Sequence, residues 1–127
     1  MSFCRTDGHM GVKYTENING VIFLVAEINA AKCATYKGFV DEMRSCFDFP
    51  YGDFRSMNIL GECMRDLAWL KERNFMLRIK NMVVLERKSA ARSSFFVECL
   101  TDYKTHWDEQ KVRVKKSDEN NFIIEYL

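Results

Sequence analysis

The stretch Phe47–Leu70, FDFPYGDFRSMNILGECMRDLAWL, decides how this chain folds. It holds the chain's single proline, Pro50, which closes off whatever helix precedes it. An irregular run, Tyr51-Gly52-Asp53-Phe54-Arg55, comes next. Ser56 then opens a new helix, because its hydroxyl can accept a bond from an N–H that the first turn leaves orphaned. Met57, Leu60, Met64 and Leu67 recur at helical spacing with Cys63 beside them, which is the apolar stripe of an amphipathic helix. The polar residues around it are mostly acidic: Asp41, Glu42, Asp48, Asp53, Glu62 and Asp66 stand against Arg44, Arg55 and Arg65. An acidic loop running into an acidic helix suits a cationic surface.

Working outward, Thr35 caps an earlier helix whose apolar positions are Tyr36, Phe39, Val40, Met43 and Phe47. Before it, Val21–Ile28 (VIFLVAEI) is apolar without alternation, as in a strand covered on both faces. Residues 1–20 read as an N-terminal extension, ordered around Val12–Tyr14 at best. After the central helix, Lys71–Asn74 is a polar turn, and Phe75–Met82 alternates apolar residues with Arg78 and Lys80, a strand with one wetter face. Residues 83–93 fit either a loop or a first helical turn. Phe96, Cys99, Leu100, Tyr103 and Trp107 mark the clearest helix, and Phe122–Leu127 (FIIEYL) closes the chain as a strand. Helices separating every strand imply parallel pairing. The expectation is therefore an α/β domain over residues 21–127, with a three-stranded parallel sheet, about three main helices and the order of strands left open.

Composition narrows the function. A chain of 127 residues with 47% apolar and 13% aromatic side chains can form one core without staples. A formal net charge of +1 gives no overall pull toward nucleic acid or an acidic membrane. Basic residues concentrate in 71–92 and 111–116, the basis of the rival reading: a small cytosolic enzyme or nucleic-acid-binding domain. Five cysteines at irregular spacing read as reduced thiols, and the N-terminus lacks a signal-peptide core, so a cytoplasmic protein with no membrane span is expected. Catalysis is not expected. His9 lies in the weak N-terminus and His106 on the polar side of its helix, Cys63 and Cys99 read as core residues, and no metal-ligand spacing or phosphate-binding loop occurs. No cofactor or metal is called for.

The pair Phe49-Pro50, a loop, and then Leu60, Glu62, Cys63, Met64, Asp66, Leu67, Trp69 and Leu70 resembles the signature of barstar-like proteins. Asn74–Asn81 resembles that family's second strand, and Phe95–Gln110 its last helix, so the likeness spans roughly residues 21–127. The resemblance implies a bacterial immunity protein, the antitoxin of a toxin–antitoxin or contact-dependent growth-inhibition pair. It would occlude the active site of a nuclease toxin, a ribonuclease by this likeness, one-to-one and without direct nucleic-acid contact. The implied contact residues are Tyr51, Asp53, Phe54, Asn58, Glu62, Arg65, Asp66 and Asp102, whose carboxylates would lie where RNA phosphates bind. Glu62 stands where the family has its most important Asp, whereas Asn58 replaces a second Asp and Gly61 an interface aromatic. Departures at the contact surface over a kept core imply a different partner nuclease.

Overall fold

The computed structural model describes residues 11–50, 52, 54, 56–114 and 119–127. Among these residues the sheet has four strands, β1 (Val12–Ile18), β2 (Val21–Asn29), β3 (Phe75–Lys80) and β4 (Phe122–Tyr126), in that spatial order. The three expected strands β2, β3 and β4 are present and parallel, with Ala26 opposite Leu77 and Leu77 opposite Ile124.

The strand count is a correction. β1 adds an antiparallel edge, Val12 opposite Glu27 through to Ile18 opposite Val21, within residues read as an extension. Asn19 and Gly20 make the turn at φ 54° and 87°. A two-residue Asn-Gly connection at positive φ matches the twist of antiparallel strands, and it is the signal that would have revealed β1. Glycine adopts that angle without the steric penalty a side chain meets.

The helices form where the patterns place them. α1 (Tyr36–Phe47) starts at Thr35, whose side chain accepts from the Gly38 N–H, and ends at Asp48 in the left-handed region. α2 (Met57–Asp66) starts at Ser56, whose hydroxyl accepts from the Ile59 N–H. The ambiguous 83–93 segment resolves into helix on either side of Ser89: α3 (Met82–Lys88), then the start of α4 (Ala90–Val114).

One core joins these elements. Leu24, Ala26, Ile28, Phe75, Leu77, Ile79 and Phe122 of the sheet meet Phe39, Met43 and Phe47 of α1, Leu60 and Met64 of α2, and Phe96, Leu100, Tyr103 and Trp107 of α4. Phe23 and Val25, which alternate onto the sheet's other face, are buried as well, in keeping with a central strand apolar on both sides. On that second face Tyr14 donates to Glu27 at 2.8 Å and Arg78 donates to Glu125 at 2.8 Å. Tyr36, expected in the core, is 45% exposed. It lies at the first turn of α1, where its ring meets Phe95 and the Arg92 guanidinium instead.

Candidate functional site

α2 is held from its C-terminal end. The carbonyls of a last helical turn have no partner within the helix. Here the Trp107 indole donates to Met64 O at 2.8 Å and the Arg73 guanidinium donates to Leu67 O at 3.2 Å. Leu67 itself is buried at φ 52°, a left-handed end imposed by packing rather than by glycine. With Leu60, Cys63 and Met64 turned inward, Asn58 and Glu62 are exposed, Arg65 is half-buried and Asp66 is exposed.

The segment entering α2 is pinned at two aromatic points. Phe49 is 8% exposed and packs against Trp69 and Phe54, with ring centroids at 6.0 and 5.6 Å. Trp69 in turn donates to Phe47 O at 2.8 Å. Phe54 is half-buried under the Arg44 guanidinium, 4.9 Å from its ring, and its carbonyl accepts from Arg44 at 3.3 Å. Tyr51 and Asp53, two expected contact residues, lie outside the described residues.

α4 supplies the other wall. Asp102 is exposed, one position before the buried Tyr103. Burial pushes the Tyr103 hydroxyl up, with the Arg65 charge opposing this and the Asp102 charge adding to it. Glu62, Asp66 and Arg44 all act on the Cys63 thiol. The structure thus brings Asn58, Glu62, Arg65 and Asp66 onto one face of α2, with Asp102 exposed on the adjoining α4 and Phe54 held separately under Arg44 of α1. Among the described residues Glu62, Asp66 and Asp102 make no ion pair or hydrogen bond. Elsewhere Asp41, Asp48 and Asp108 are bridged to lysines, and Glu125 to Arg78.

The thiols are poorly suited to attack. Burial pushes Cys63 and Cys99 upward and Cys46 up to about 12, whereas a nucleophilic cysteine needs its thiolate stabilised. Cys99 is half-buried rather than fully within the core. His106 is half-buried, packed edge-on to Trp107 in a shallow cleft with Arg65, Asp66, Arg73 and Gln110. No group of metal-ligating residues exists among the described residues. No helix is long and apolar enough to cross a membrane, again among the described residues.

The basic 71–92 stretch does not form one surface. Lys71 and Arg73 precede β3 and Lys80 ends it, so the six-residue strand separates them by about 20 Å. Arg73 is stacked over Trp107, Arg78 is paired to Glu125, Lys88 donates to Ala31 O and Arg92 covers Tyr36. Lys115 and Lys116 of the second basic run lie outside the described residues.

Among known families, the one described as Barstar (barnase inhibitor) matches residues 23–117. No curated protein and no solved structure matches the chain.

Proposed function

The chain belongs to the barstar family, and on that premise we propose that it is the inhibitor half of a nuclease–inhibitor pair: an immunity protein, acting in the cytoplasm of the cell that makes it, that occludes the active site of a toxic ribonuclease one-to-one. It performs no chemistry and uses no cofactor. The observation that carries this reading is the set of carboxylates Glu62, Asp66 and Asp102, exposed on adjoining helices and, among the described residues, without a side-chain hydrogen bond or ion pair. Carboxylates already bridged to lysine would have to break those bridges before meeting a partner. Unbridged ones on a buried scaffold are ready to replace substrate phosphates in a cationic cleft. Tyr51, Asp53, Phe54 and Asn58 complete the proposed contact surface, with Phe54 oriented by Arg44.

The test is co-expression with the C-terminal domain of the adjacent gene's product. Rescue of growth and a co-purifying one-to-one complex are expected, together with loss of RNA cleavage in the purified complex. Glu62→Ala and Asp102→Ala should each weaken the complex by about 2–5 kcal/mol, mostly through faster dissociation, because each leaves a nuclease cation buried and unpaired. Failure to rescue, with wild-type binding by every carboxylate variant, would overturn the reading.

A further inference from the structure

Gly61 occupies the second turn of α2, where glycine costs about 1 kcal/mol of helix stability relative to alanine. A neighbouring side chain occupies the space it leaves. A Cβ on residue 61 would stand 3.1 Å from Nη1 and 3.4 Å from Nη2 of Arg65. The Arg65 guanidinium has folded back one turn and lies beside Gly61, which is buried. Arg65 itself is half-buried and makes no hydrogen bond or ion pair among the described residues. A planar fork of donors is thus seated on the face of α2 that also displays Glu62 and Asp66, in a cleft with Arg73, His106 and Gln110.

We propose that Arg65, placed in the space Gly61 leaves, determines partner specificity by receiving a carboxylate of the nuclease at the centre of an otherwise acidic contact surface. This rests on the inhibitor reading above. A nuclease face complementary to Glu62, Asp66 and Asp102 is cationic. A guanidinium pressed against such a face with no acceptor would lose its hydration and meet only like charge. A partner that binds here therefore brings an anion to that point, and a protein carboxylate fits the guanidinium fork with two parallel hydrogen bonds. The same device rejects nucleases that carry a cation there, so Arg65 discriminates by repulsion as well as attraction.

The experiment titrates the nuclease domain recovered by co-expression against the wild type, Arg65→Ala, Arg65→Lys and Gly61→Leu, with unfolding midpoints measured in parallel. Arg65→Ala should weaken binding on the order of tenfold to a hundredfold, and Arg65→Lys, which keeps the charge but not the fork, should restore only part of it. Gly61→Leu pushes the guanidinium off the helix and should weaken binding similarly without lowering the unfolding midpoint, since leucine is the better helix former. Arg65→Glu should bind again when the facing nuclease carboxylate is exchanged for arginine. If Arg65→Ala binds as tightly as wild type while Glu62→Ala does not, this inference fails and the inhibitor reading stands. Wild-type binding by Glu62→Ala, Asp66→Ala and Asp102→Ala together would instead remove the reading on which it rests.

Discussion

Glu42 is a carboxylate on α1 that is 1% exposed and accepts the Asn29 N–H at 2.8 Å. Burial pushes its carboxyl above the ordinary 4.5, and the Asn29 bond and the charges of Lys32 and Lys80 only partly oppose this. A raised folded value means that the folded state keeps the proton to higher pH than the unfolded chain. The stability this group contributes is therefore full below pH 4.5 and is lost as pH rises through its folded value. Glu42→Gln keeps the shape and an acceptor for Asn29 while removing the charge. The variant should be more stable than wild type at pH 7, with the gap closing toward pH 4, as read by urea unfolding across that range. A gap independent of pH would mean that Glu42 is not held in the way its burial implies.

At the scale of elements, α2 depends on side chains remote in sequence. Trp107→Phe keeps most of the ring but removes the donor to Met64 O, leaving a buried carbonyl without its bond. The expected loss is about 1–3 kcal/mol, measurable by thermal or urea unfolding. A loss below about 0.5 kcal/mol would mean that α2 closes its last turn without help. The β1–β2 hairpin gives a second test. Gly20 sits at φ 87°, so Gly20→Val should cost about 1–2 kcal/mol, the penalty of forcing a side chain into left-handed backbone. An unaffected unfolding midpoint would argue against the hairpin.

Across the whole molecule the net charge is +1. Among the described residues Glu62, Asp66 and Asp102 stand unbridged on α2 and α4, while Arg73, Arg78, Lys88 and Arg92 are held by aromatic rings, Glu125 and a main-chain carbonyl. Association with a cationic nuclease should thus be steered electrostatically. Raising ionic strength from about 0.01 M to 1 M shortens the screening length from roughly 30 Å to 3 Å. The association rate, followed by stopped flow, should fall steeply over that range while dissociation changes little. A flat association rate would show that the acidic surface does not guide encounter.

What the amino-acid sequence determined by itself was whatever rests on local periodicity. The caps at Thr35 and Ser56, the stripes Phe39–Val40–Met43–Phe47 and Leu60–Cys63–Met64, and the three parallel strands all follow from spacing, because helices and strands of distinct period must each bury one face. The exposure of Asn58, Glu62, Asp66 and Asp102 follows from the same stripes by exclusion. β1 was also legible, through Asn19-Gly20, but its polar alternation hid it. Only the tertiary structure decided the rest. Tyr36 sits on a core spacing yet lies outside the core, since the first turn of α1 meets Arg92 and Phe95 across a helix pair that no periodicity encodes. Arg65 lies over Gly61, Arg44 over Phe54, and Trp107 beneath the end of α2, each a contact set by how long side chains settle once the backbone has packed. Such contacts join residues far apart in the chain or choose among rotamers of similar energy, and a linear pattern holds no record of either choice.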